Sequence, residues 1–533
     1  MKKIIAIGLI SLIILSSAIV YILVNKNQDE NIENEFEPTY IMDETNDFVK
    51  DIPKENYLHQ VVPAEGEIIF NIIDYGASTT NDFTSNRDAI QDAIDAASVV
   101  GGVVLVTGGN YKTTSIELKS NITLRIDANA SIINPTFEEN KALDQADRIS
   151  SYGFVFSNNA DNITIEGPGK ICGNGATYCY QAEDDSKFLP MDVFNLKTYI
   201  IEHRKRIMMG KEDEESRSYI LGMVNCSDVN IRNIEIYEAP AWTCRLEGMG
   251  NLLIEDVVIN NNVNVANSDG FDIEGGRNIT IRHCFIATGD DAICIKTDNI
   301  NIPPLEGILI EDCEVMSLAN CFKIGTGTWT DVSDVTVRNC FFFMAGIAGG
   351  YAGIAIESVD GGNIHNININ NITMEGVASP LLIWLGYRNP GSKLEDITIT
   401  NITATNCDIA SAITGYEKNS EITYIKNVIL RNFNITYREA NESLDIYDNE
   451  AGAYEGDMNM GGYPEITRVS HRYILNHTMS DYWDLPVYGL FARHVDGLTV
   501  ENFLVNARAS NTRPMNNIQN AEDRVDVKNV TWS

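Results

Sequence analysis

The chain has 533 residues, of which 44% are hydrophobic and 21% charged, a globular composition that excludes a disordered or collagen-like chain. Its 75 Asp and Glu against 39 Lys and Arg leave a formal charge of -36. That excess argues against nucleic acid as a partner, because gripping phosphates takes clustered cations, and it fits poorly with a polyanionic substrate.

In chain order, Lys2 and Lys3 precede an unbroken run of apolar and small residues from Ile4 to Val24, closed by Lys26. Such a run is long enough to span a bilayer, and the one small-residue cleavage candidate, Ser16-Ser17-Ala18, lies inside it. Residues 1–25 are therefore expected to be a single-span membrane anchor or a signal peptide, and either exports the rest, secreted or membrane-anchored. Residues 26–63 are acidic, weakly periodic and carry Pro38, Pro53 and Pro63, the composition of a tether. Residues 64–533 are expected to form one domain.

Ser85-Asn86-Arg87-Asp88 resembles a capping box, and Ala89, Ile90, Ala93, Ile94 and Ala97 make one apolar face, which predicts a helix over about 86–99. From residue 121 a short motif recurs, Asn or Asp followed by alternating apolar residues, as in Asn121-Ile-Thr-Leu, Asn278-Ile-Thr-Ile and Asp396-Ile-Thr-Ile. From 230 to 427 its spacings are 21, 27, 29, 27, 32, 30 and 31 residues. Short period-2 runs between polar corners at this period describe the coils of a parallel β-helix. The fold class is all-β: a single right-handed parallel β-helix, its N-terminal end plugged by the capping helix, acting as a monomer.

Cys284, Cys313 and Cys340 each fall six residues after the start of their coil, so they should stack in one column. Cys172 and Cys179 are close enough in sequence to pair or to remain two buried thiols. No Cys or His cluster has zinc spacing, and no metal or cofactor is expected. Two stretches, 180–218 and 439–490, break the repeat as insertions.

Aligning the strands Phe271–Glu274, Ile293–Lys296, Phe322–Gly325, Ile354–Glu357 and Ile383–Gly386 predicts an exposed column of Asp272, Cys294, Lys323, Ala355 and Trp384. Three residues earlier lie Asp269, Asp291 and Asn320, with Asp290 beside Asp291. Carboxylates crowded this way have their pKa values pushed apart, as acid-base glycoside hydrolysis needs, although Asp and Asn also turn corners.

Asn267-Ser268-Asp269-Gly270, followed by Gly289-Asp290-Asp291, resembles the Asn-Thr-Asp and Gly-Asp-Asp motifs of polygalacturonases, glycoside hydrolase family 28. The likeness covers about 68 to 515. It implies an inverting hydrolase of α-galacturonosyl or related pectic linkages, with Asp290 as general acid and Asp269 with Asp291 activating water. A pectic poly- or oligosaccharide is the expected substrate, attacked from an end, with Asn267, Asn320, Lys323 and Trp384 as binding residues. Two family motifs are replaced: Gly-His-Gly falls on Ala319-Asn320-Cys321, and the carboxylate-gripping Arg-Ile-Lys falls on Ala355-Ile356-Glu357. Lys323, one coil earlier, is the candidate substitute cation. The rival expectations are a non-catalytic carbohydrate-binding or surface β-helix and, through Lys323 as base, a lyase.

Overall fold

The computed structural model of the protein describes residues 40–179 and 217–506, less 46, 346–348, 408–409, 419 and 438–488, together with backbone strands between 516 and 532. The candidate anchor or signal segment and nearly all of both insertions lie outside the described residues. No described helix is long and apolar enough to cross a membrane.

The domain is a right-handed parallel β-helix. Each coil supplies a strand to each of three parallel ladders, and many strands continue around a corner from one ladder to the next. Ser227–Tyr237 does so: its first half pairs with Asp161–Glu166 and its second with Lys170–Cys172. Strand alternation turns every second residue inward, and the parallel register stacks like on like. One inner column runs Ile254, Ile281, Ile310, Val337, Ile369, Ile399, Leu430 and Val500. All eight are fully buried, each contributing about 1.5–3 kcal/mol over exposure.

The corners explain the recurring Asn. Asn251, Asn278, Asn366 and Asn427 adopt φ between 54° and 58°, a left-handed backbone that Asn tolerates better than branched residues. Their amides also bond from coil to coil: Asn278 Nδ2 donates to Asn251 Oδ1 at 3.0 Å and Asn427 Nδ2 to Asp396 Oδ1 at 2.8 Å.

The helix spans Phe83–Val100 and buries the predicted face on the first coils. Its cap differs from the expectation. Asp82, not Ser85, is the N-cap, its carboxylate accepting the Ser85 amide at 2.8 Å, so the helix starts a turn's fraction earlier. Cys284, Cys313 and Cys340 do form a column, each thiol donating to the carbonyl two residues before it. Cys172 and Cys179 are two buried thiols that no disulfide joins.

The tether expectation fails for its second half. Residues 40–59 form a strap along the outside of the solenoid, with Tyr40, Met42, Val49 and Tyr57 buried. Ile41–Met42 and Val49–Lys50 pair as a short antiparallel hairpin. Tyr40 and Tyr57 both donate to the Glu314 carboxylate, and the Tyr40 ring stacks on Phe343 with centroids 4.7 Å apart.

Candidate active site

The site lies on the ladder that contains Phe271–Arg282, Ile293–Thr297 and Asn320–Thr328. Asp269, Asp291 and Asn320 occupy the entry to three successive coils: the Gly270 amide donates to Asp291 O at 3.0 Å and the Ala292 amide to Asn320 O at 2.9 Å. Stacking coils therefore brings together acids 22 residues apart in sequence, as the alignment predicted. Carboxylate oxygens of Asp269, Asp290 and Asp291 lie within 4.8 Å of one another.

The three acids have different surroundings. Asp291 is 5% exposed; its Oδ1 accepts the Asn320 amide nitrogen at 3.2 Å and Asn320 Nδ2 at 2.7 Å, and its Oδ2 accepts Lys323 Nζ at 2.8 Å. Burial alone would push this carboxyl up, but the Lys323 charge and the Asn320 donor outweigh it and hold the group below the usual carboxylate range. Asp269 is 4% exposed, and its Oδ1 has no hydrogen-bond partner among the described residues. Burial, then Asp272 and Asp290, push its carboxyl well above the usual range, with Lys296 opposing only in part. Asp290 is half-buried: its Oδ2 accepts the Asn267 amide at 3.3 Å and its Oδ1 the Asp291 amide at 3.0 Å. Its carbonyl is held by the hydroxyls of Thr288 at 2.6 Å and Ser317 at 2.7 Å.

The predicted binding residues fare unevenly. Asn267 is exposed at φ 58°, and its backbone aims Asp290. Asn320 is buried and bonded to Asp291, while its Oδ1 accepts the Ala352 amide at 3.2 Å, so it acts on the carboxylate it holds. Lys323 pairs with Asp291. Burial alone would lower its pKa, but Asp291 and Glu357 together raise it and keep it charged.

Trp384 requires a correction. The register sets Ala355 against Leu382, and places Trp384 beside Glu357, so it belongs to the next outward column. At 1% exposed it is a packed side chain and offers no face to a sugar. Nor is the expected column an exposed one: Asp272, Cys294 and Ala355 are all buried.

Two residues of the site were missed. Lys296 Nζ lies 2.6 Å from Asp272 Oδ1 and 3.6 Å from the centroid of the Trp242 ring, a cation–π contact on a desolvated ammonium. Desolvation lowers its pKa, but Asp272 and the neighbouring Cys294 and Asp269 more than offset this. The signal was present, since Lys296 is the next outward residue after Cys294. Trp242, half-buried, stands two residues before the strand Cys244–Asn260, the same place in its coil that Asp269 holds before Phe271, so the strand alignment extended one coil earlier would have found it. The three acidic oxygens are close enough to share a cation, yet two lysine ammoniums already supply positive charge to this cluster. The arrangement provides one buried proton carrier, one carboxylate held ionised, and a third acid open to ligand.

Residues 103–451, about two thirds of the chain, match the family profile described as glycosyl hydrolases family 28. A probable polygalacturonase of Arabidopsis thaliana is 28% identical over 183 residues, covering 34% of this chain and 38% of that protein, so the match spans well under half of this relative's length. An exopolygalacturonase of Platanus acerifolia is 22% identical over 401 residues, covering 70% of this chain and 91% of the relative. Among solved structures, the family 28 exopolygalacturonase of Yersinia enterocolitica superposes with a TM-score of 0.59 at 15% identity over 87% of this chain and 78% of its own, a likeness of fold.

Proposed function

Since the chain belongs to glycosyl hydrolase family 28, we propose that it hydrolyses α-linked galacturonosyl or related pectic glycosides by inversion, with Asp290 as general acid and Asp269 with Asp291 activating water. The observation that carries this is the triad on adjoining coils in which Asp291 is held ionised by Lys323 and Asn320. An ionised carboxylate beside a buried, unpartnered carboxyl oxygen supplies a proton acceptor and a place to hold water, while the half-buried Asp290 faces outward to protonate the leaving oxygen.

The two-carboxylate template puts the groups of inverting enzymes about 6.5–9.5 Å apart, and the nearest oxygens here are within 4.8 Å. Inversion is favoured by the state of Asp291. Both of its oxygens already accept charged or amide donors, which blunts it as a nucleophile toward carbon but not as an acceptor of a proton from water. Attack from a chain end draws support from the exopolygalacturonase relative. The run Ile4 to Val24 supports work outside the cytoplasm, secreted or anchored.

Product profiles on a defined oligogalacturonide test the proposal. Release of mono- or disaccharide from the first time point, lost in Asp290→Asn, is expected. A ladder of mid-sized products overturns the exo assignment, and undiminished turnover by Asp290→Asn overturns the assignment of the acid.

A further inference from the structure

We propose that the N-terminal hairpin is a positioning element of the active site, with Asp47 as the residue that fixes the loop beneath Asp290. This rests on the catalytic assignment of Asp290 made above.

Residues 261–268 lead into Asp269 and control Asp290 by two routes. The Asn267 amide donates directly to Asp290 Oδ2 at 3.3 Å. Gly289, the residue before Asp290, backs onto the same loop: its amide donates to Ser268 Oγ at 3.1 Å, and a Cβ there would lie 2.5 Å from Val263 O and 2.7 Å from Val265 O. Ser268 Oγ in turn donates to Val265 O at 2.9 Å. With no slack between these backbones, a displacement at Val263 is passed to Gly289 and on to Asp290.

The strap grips the loop at that point. The Val263 amide donates to Asp47 O at 2.9 Å, and Asn264 Nδ2 donates to Asp47 Oδ1 at 2.7 Å. Asp47 is itself held, its amide donating to Asp43 Oδ1 at 2.9 Å. The hairpin is tied to the solenoid by reciprocal bonds between Val49 and Asn260, at 3.3 and 3.1 Å, and by the Tyr40 ring against Phe343. A segment more than 200 residues away in sequence thus closes the loop's outer side. Misplacing a reacting group by about 1 Å is enough to lower a rate roughly 100-fold, so a small relaxation here would be felt in turnover.

Two readouts on the full chain test this. Hydrogen–deuterium exchange of the unliganded protein should show faster exchange at 261–270 in Asp47→Ala, with no change in the remote coil 363–375. Turnover of an oligogalacturonide should fall about 10-fold in kcat with KM within about 2-fold, and Asp47→Asn, whose amide oxygen still accepts from Asn264, should restore most of it. Unchanged exchange at 261–270, or an Asp47→Asn as impaired as Asp47→Ala, overturns the proposal. If Asp47→Ala does not fold, Asn264→Ala removes the same bond from the loop side and is read by the same exchange and kcat criteria. Activity retained in Asp290→Asn defeats the catalytic assignment, whereas an inactive Asp290→Asn beside an unaffected Asp47→Ala defeats the positioning role alone.

Discussion

Lys323 and Asp291 form an ion pair across two coils, Nζ 2.8 Å from Oδ2, in a site where Asn320 already occupies Oδ1. The cation that sequence placed as a substitute grip on the substrate is thus engaged with a carboxylate of the proposed catalytic triad. Its first task is to hold the Asp291 carboxyl below the usual range against burial, which pushes it up.

Lys323→Met should therefore move a pKa before it moves a KM. Without the ammonium the Asp291 carboxyl rises, and the acidic limb of kcat/KM shifts to higher pH by about one unit or more. Stability changes with a definite sign. A carboxyl depressed in the folded state contributes stability above its unfolded value of about 3.9, lost as pH falls through the lower folded value. The variant should be destabilised at neutral pH by a few kcal/mol, since it leaves a buried charge without its partner, and the gap should close in strong acid. Rate profiles and Tm measured against pH check both.

Asp269 should behave oppositely. Its folded pKa is raised, so folding takes up a proton and stability falls as pH rises from the unfolded value toward the folded one. Asp269→Asn removes that penalty. It should abolish turnover while raising Tm at pH 7.5 by about 2–4 °C, a gain that vanishes below about pH 4, as calorimetry can show.

Lys296 and Asp272 should be worth more together than apart. Lys296→Met strands the buried Asp272 carboxylate, and Asp272→Asn strands the ammonium over Trp242. Each single variant should lose about 3 kcal/mol or more, and the double variant should recover much of it, because a pair replaced jointly leaves no lone charge. Denaturant melts of the four proteins complete the cycle.

Glu357 should repel a uronate. It is buried on the same face, close enough to raise the Lys323 pKa. Glu357→Gln should improve kcat/KM for a galacturonide by about 10-fold, screened by salt, and leave a neutral glycoside within about 2-fold. Kinetics on the two substrates at low and high ionic strength separate these outcomes.

Much of this was legible in the sequence, because a solenoid turns chain period into spatial neighbourhood. The spacing of the Asn-Ile-Thr motifs placed the coils, and the alignment of Asp272, Cys294, Lys323 and Ala355 matches the observed register. It slipped by two residues at Trp384. Val377–Leu385 is buried along its whole length, so a two-residue shift preserves the alternation and no charged residue fixes the phase. The strap was illegible for a different reason. Tyr40 and Tyr57 carry no period, and their shared partner, Glu314, lies more than 250 residues away. The exposure of the site column was misjudged because outward-facing residues on this ladder are covered by one another, as Asp272 is by Lys296.

In the proposed reaction three carboxylates on adjoining coils hydrolyse a pectic glycoside by direct displacement with water. NMR of the first anomer released from a defined oligogalacturonide tests it most directly. Direct displacement releases an initial β-anomer from the α-linked substrate, seen before mutarotation; an initial α-anomer would instead make one of these acids the nucleophile of a covalent intermediate and overturn the inverting assignment.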